Sequence, residues 1–103
     1  MSDQRISTLT LNRNGVTLRT DITSQIENMS QQEAAYYGGA APYLRYWIFP
    51  QGLYDIQFQD QLIDPYNADP KTASGYREYN VINDPEPFPD YHMELVADRV
   101  RGK

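Results

Sequence analysis

The chain has 103 residues, with 14 acidic against 9 basic side chains for a formal charge of −5, 40% hydrophobic residues and no cysteine. That length and apolar share suit one domain with a modest core. The lack of cysteine excludes disulfide frameworks, cysteine-zinc sites and thiol nucleophiles, and the acidic balance opposes tight or sequence-reading binding to nucleic acid.

From the N-terminus, Ile6, Leu9 and Leu11 precede Asn14-Gly15, and Val16 and Leu18 follow it. Asn-Gly accepts the positive φ of a tight turn, so residues 8–11 and 16–20 are expected as a β-hairpin whose loop has room to include Asn12 and Arg13. Residues 23–37 are the helix candidate. Ser24-Gln25-Ile26-Glu27 and Ser30-Gln31-Gln32-Glu33 both carry capping-box spacing, in which Ser and Glu satisfy orphan N–H groups reciprocally. Gly38-Gly39 would stop that helix, and Pro42 bars its continuation. Its apolar stripe is only Ile26 and Met29, which fits a weakly anchored surface helix or a long inserted loop that orders against a neighbour.

Residues 43–49 read Tyr-Leu-Arg-Tyr-Trp-Ile-Phe, the most hydrophobic run. As a strand they place Leu44, Tyr46 and Ile48 on one face and Tyr43, Arg45, Trp47 and Phe49 on the other. Both faces are largely apolar, and a domain this small can hardly cover both, which favours a partner on the outer one. After the Pro50-Gln51-Gly52 turn, strands are expected at 53–58, 76–82 and 92–97. They are rich in Tyr, Phe, Val and Ile and are bounded by Pro, Gly, Asn and Asp. The first intervening loop, 64–75, is long and polar. The second, 84–90, alternates proline with other residues and is expected as a stiff, extended connector with Phe88 as an anchor. The tail 99–103 has little to hold it down. The predicted fold is mainly β: a single small β-barrel or sandwich spanning 1–103, with one short helix or long inserted loop.

Charge is unevenly placed. Residues 1–49 balance at zero, while residues 50–98 hold ten acids against Lys71 and Arg77, and Arg99, Arg101 and Lys103 follow. Nine tyrosines add rings with a polar tip, a type enriched at interfaces. No apolar run approaches a membrane span, and residues 1–10 lack the charged-then-apolar pattern of a signal peptide, so a soluble protein is expected.

Few residues suggest chemistry. His92, the one histidine, shares a strand face with Glu94 and reads as a structural histidine beside a carboxylate. Asp55, Asp60 and Asp64 miss the spacing of a calcium loop, and the run from Asp64 to Asp69 lacks its Gly and terminal Glu. Asn28-Met29-Ser30 fits a glycosylation sequon by chance in a chain without an export signal. Gly38-Gly39 stands alone, without the pattern of a phosphate loop. No catalytic residue, metal or cofactor is expected, and the chain does not read as an enzyme.

The order of elements from Asp55 onward resembles that of the small head–tail connector proteins of tailed bacteriophages. The stretch Asp55-Ile56-Gln57-Phe58-Gln59-Asp60-Gln61-Leu62-Ile63-Asp64 resembles their strand carrying an acid followed by Leu-Ile-Asp. Tyr76-Arg77-Glu78-Tyr79-Asn80-Val81-Ile82 resembles their Tyr-x-Val segment. A proline-bearing connector with Phe88 then leads to His92-Met93-Glu94-Leu95. The group includes head-closure (stopper) proteins, which form a ring below the portal and adaptor, close the DNA channel and receive the tail. The resemblance therefore implies a virion neck protein assembled in the host cytoplasm. It would be a homo-oligomeric ring subunit, with portal and adaptor proteins above and tail proteins below, and with packaged DNA passing without sequence-specific binding.

On that reading the channel-gating loop is Asp64-Pro65-Tyr66-Asn67-Ala68-Asp69-Pro70-Lys71-Thr72-Ala73-Ser74-Gly75, with residues 21–42 as a second candidate. Tyr43, Arg45, Trp47, Phe49 and Phe88 would face a neighbouring subunit or partner. Tyr91 stands where the group tends to have Gly, and the N-terminal half has no counterpart, which leaves the role open among stopper, adaptor-side joining and tail-completion protein. Two other readings compete: a capsid-decoration or tail-tube-associated β-protein, and a small OB-like β-barrel binding module stacking bases on its tyrosines.

Overall fold

The computed structural model describes residues 4–28, 32, 45–90 and 92–100. They form the strands β1 (Gln4–Arg13), β2 (Val16–Asn28), β3 (Arg45–Pro50), β4 (Gln61–Ala68), β5 (Tyr76–Val81), β6 (Glu86–Phe88) and β7 (His92–Arg99). Six of these close an antiparallel β-barrel in the order β1-β2-β3-β7-β5-β4 and back to β1. β6 adds to β7 outside the ring, pairing Phe88 with His92 and Glu86 with Glu94. Closure uses up the strand edges that a small sheet would otherwise expose.

The first hairpin follows its turn chemistry. Asn14 and Gly15 take φ of 53° and 79°, and Arg13 pairs with Val16, so the loop is two residues long. Neither Asn12 nor Arg13 joins it. Beyond the turn, β2 runs to Asn28, and this corrects the expected helix. Ser24-Gln25-Ile26-Glu27 is strand, paired with β1 on one side and β3 on the other. Ile22, Ser24 and Ile26 are buried while Thr23 and Asp21 are exposed, which is a period of two. Two flanking ladders outweigh a local capping pattern, which stabilises only a free helix end. The remainder of the helix candidate, apart from Gln32, lies outside the described residues.

Three further expectations are corrected. Residues 53–58 join no ladder: the Ile56 N–H turns back onto the Tyr54 carbonyl at 2.9 Å, and Phe58 lies in a turn. The segment instead buries Ile56 over one end of the barrel and ends in a turn held by Asp60, whose carboxylate accepts the Gln57 N–H at 2.8 Å. Asp64, Pro65, Tyr66, Asn67 and Ala68 belong to β4, not to a loop, since Leu62 and Asp64 alternate inward as strand residues do. Arg99 is no loose tail. It closes β7 and its guanidinium reaches Asp69 at 3.2 Å, while Val100 N–H donates to the Glu78 carbonyl.

The core lines the barrel interior: Leu9 and Leu11, Ile22 and Ile26, Tyr46 and Ile48, Leu62, Tyr79 and Val81, Met93, Leu95 and Ala97. Tyr46 and Tyr79 meet edge to face across it, 5.3 Å between ring centres at 79°. Each fully buried Leu or Ile contributes about 1.5–3 kcal/mol, so the interior, not the local propensity of any strand, holds the fold. The ends of the barrel are polar. Arg13 forks onto Asp60 with two 2.8 Å bonds at the end that carries the Asn14-Gly15 turn. Ser7, Ser24 and Asp64 are buried towards the other.

Candidate functional site

The expected gating loop resolves into a hairpin arm. β1 and β4 pair only from Thr10↔Ile63 to Asn12↔Gln61. Continuing that ladder would bring Pro65 into it, and proline has no N–H to donate. The β4–β5 ladder also lapses after Asp64↔Arg77 and resumes at Ala68↔Tyr76. Asp64 bridges the lapse: its fully buried carboxylate accepts from Ser7 Oγ at 2.7 Å, Asn67 Nδ2 at 2.6 Å and Tyr66 N at 3.2 Å. Tyr66 is thereby turned outward and is 76% exposed.

The tip from Asp69 to Gly75 is folded on itself. Asp69 N–H donates to the Gly75 carbonyl at 2.9 Å, and the buried Thr72 hydroxyl donates to the Tyr76 carbonyl. Glu78 accepts the Ser74 N–H at 2.9 Å. Pro70, Lys71, Ala73 and Ser74 face solvent. Burial opposes the charge on Asp69, but Arg99 and the Lys71 N–H outweigh it and hold the carboxyl below its ordinary value. The tip is a braced unit, so any movement of the arm would hinge at the ladder lapse between Asp64 and Ala68.

The expected interface residues fall on one outer strip, apart from Tyr43, which lies outside the described residues. Arg45, Trp47 and Phe49 alternate outward from β3 and are half-buried. Trp47 and Phe49 stack with ring centres 6.2 Å apart at 17°. Trp47 and Ile82 cover Val96 of β7, and Arg45 grips Asp98 through bonds of 2.6 and 2.8 Å. Phe88 of β6 stacks on His92 at 4.8 Å and 6°. Phe49 and His92 meet in a groove of about 530 Å³ together with Gln25, Glu27, Gln51 and Asp90.

His92 sits between Glu94, at 3.2 Å from Nε2, and Asp90, against Nδ1. The hydrogen bond to Glu94, aided by Asp90, raises its pKa against partial desolvation. Both ring nitrogens are thus occupied by carboxylates. Among the described residues no cluster of three His, Cys, Asp or Glu is placed to hold a metal ion. No described helix is long and apolar enough to cross a membrane.

Among the described residues, the exposed large apolar side chains are Ile6, Val16, Leu18, Leu53, Phe58, Tyr66 and Tyr76, of which the sequence reading had assigned only Tyr66 to a functional element. Val16 and Leu18 follow the Asn14-Gly15 turn, in a run, 14–21, that is exposed throughout.

No family model and no curated protein matches the chain. Among solved structures, the fold is similar to the solution structure of protein SF1141 from Shigella flexneri 2a, a structural genomics target. The TM-score is 0.59 with 17% identity, covering 98% of this chain and 94% of that chain. At that identity the likeness is one of fold.

Proposed function

We propose that the chain is a structural subunit of a tailed-phage neck, a ring component that joins head to tail and helps close the DNA channel. The observation that carries the reading is the β4–β5 arm: a braced tip held on a closed, acidic barrel through one buried carboxylate, Asp64, at a lapse in the ladder. The residues of the connector resemblance supply the start of β4, all of β5 and the start of β7, on either side of the arm's tip. An acidic wall repels the phosphate backbone and lets DNA pass without adhering. A subunit in a ring presents two different, complementary faces, and the Trp47–Phe49 strip and the exposed hairpin end are two such faces.

The test is to replace residues 70–75 by a two-residue Asn-Gly turn, leaving β4 and Asp64 in place. Particles carrying this variant should assemble but lose packaged DNA. Normal DNA retention by assembled particles would remove the gate role. A base-stacking module would draw on Tyr66 and Tyr76, but the net charge of −5 opposes it.

A further inference from the structure

Outside the ring of six strands, β6 rests on β7 through three residues, and the middle one is Pro87. Proline has no N–H, so the donors that β6 offers the ladder are Glu86 and Phe88. Side chains decide the rest of the contact. Phe88 stacks on His92, directly opposite in register, with ring centres 4.8 Å apart at 6°. Glu86 stands directly opposite Glu94, a like-charge pair that works against the ladder.

The His92 ring is what offsets that repulsion. Its Nε2 lies 3.2 Å from Glu94 and its Nδ1 against Asp90. An ionised carboxylate only accepts, so these two partners need two ring N–H groups, which the imidazolium alone has. A neutral ring can serve one carboxylate and turns a lone pair on the other. The other charged groups about the ring are acids: Asp90 from the turn, Glu94 from β7, Glu86 from β6 and Glu27 across the groove from β2. Phe49 and Gln51 add no charge. Among the described residues, none of the four acids has an ion pair except with His92. Arg5 enters the barrel on β1, with β2 and β3 between it and β7.

We propose that β6 is a proton-controlled clip, closed on β7 while the His92 ring carries both protons and released when it loses one. The flanking chain is fixed. The Ile82 N–H bonds the Val96 carbonyl and the Val96 N–H bonds Asn83 Oδ1, each at 2.9 Å. Met93 is buried in the core, its sulfur accepting the Tyr54 N–H at 3.2 Å. β3 pairs with β7 only from Leu95 to Asp98, and β5 only from Ala97 to Arg99. Among the described strands β6 is therefore the one ladder partner of His92 and Glu94. Release opens that stretch of edge while the barrel stays shut. Glu94, aided by Asp90, raises the ring's pKa against partial desolvation. The clip is thus closed below the ordinary value of about 6.5 and opens as pH rises through the elevated one. The device is independent of the ring reading.

Solvent-exchange NMR on the full chain tests it, with rates corrected for the intrinsic pH dependence of amide exchange. Between about pH 5.5 and about pH 8.5, protection of the Glu86 and Phe88 amides should fall. The fall should be about tenfold for each unit by which the ring's pKa is raised, with a midpoint matching the His92 ring titration. Leu9, Ile48 and Leu95, inside the barrel, should keep their protection. His92→Gln should abolish the step and leave the barrel amides protected. Constant protection of Glu86 and Phe88, a midpoint apart from that of the ring, or a step that survives in His92→Gln overturns the proposal. So does a loss of protection shared by the barrel amides, which would be unfolding of the whole domain.

Discussion

Asp64 is where fold and proposed function meet, and two substitutions separate its charge from its hydrogen bonds. The carboxylate is 0% exposed and accepts from three neutral donors, Ser7 Oγ, Tyr66 N and Asn67 Nδ2. Asp64→Ala orphans all three. At about 1 kcal/mol per lost bond, somewhat more for a charged acceptor and less for Asn67, which can turn to water, the cost is roughly 3 kcal/mol. For a domain of this size that is a fall in Tm of roughly 15 °C. Asp64→Asn keeps Oδ1 for Ser7 and Tyr66, and the Asn67 amide can flip to accept from the new Nδ2. That variant should stay within about 1 kcal/mol of the parent. Urea unfolding followed by circular dichroism measures both, with an unchanged slope as the sign of intact two-state behaviour. If Asp64→Asn proves as damaging as Asp64→Ala, the hydrogen-bond account is wrong. The charge itself, acting on Arg77 directly opposite in register, would then hold the base of the arm.

Other expectations are quicker to test. His92 has a raised pKa from Glu94 and Asp90, so its contribution is complete below about pH 6.5 and is lost as pH rises through the elevated value. His92→Gln should flatten that limb of a Tm-against-pH curve; an unchanged limb would mean the carboxylates do not hold the imidazolium. Asp60 and Asp69 are held below their ordinary 3.8, so their contribution is present above that value and lost as pH falls through the folded pKa. Asp69→Asn should shrink the acid loss seen by the same melts. Gly15→Ala meets no atom within 4 Å, so its cost should be backbone strain alone at φ 79°, about 1 kcal/mol by denaturant melts. Trp47→Ala uncovers Val96 and Ile82 and should cost about 2 kcal/mol, below a fully buried Trp because the ring is half-exposed.

The sequence was most legible where local chemistry and tertiary pairing agree. Asn14-Gly15 demands its turn, and β3 alternates its faces while β5 and β7 are short apolar-bearing runs bounded by turn residues, so these strands could be placed from pattern alone. The face assignment of β3 was equally readable, with Tyr46 and Ile48 inward and Arg45, Trp47 and Phe49 outward. The failures arise where a local signal is answered by a distant partner. Ser24-Gln25-Ile26-Glu27 offers a capping box, but β1 and β3 both pair with it, and the Ile22-Ser24-Ile26 alternation was the better signal. Pro65 marked a loop, yet it lies within β4 where one ladder ends, a place proline tolerates. Residues 53–58 alternate well and still form no strand, because the chain turns back on itself there, Ile56 N–H to the Tyr54 carbonyl. Of the candidate site, the outer strip was visible as an excess of aromatic residues. The groove was not, since Gln25, Phe49 and Asp90 converge only through the order of strands around the barrel.

The most direct test of the neck role is the mass of the purified protein alone and after mixing with portal–adaptor complexes, by light scattering and particle imaging. A ring or cap seated on the portal complex is the expected result. A protein that leaves the complex unaltered in mass and image would contradict the neck assignment.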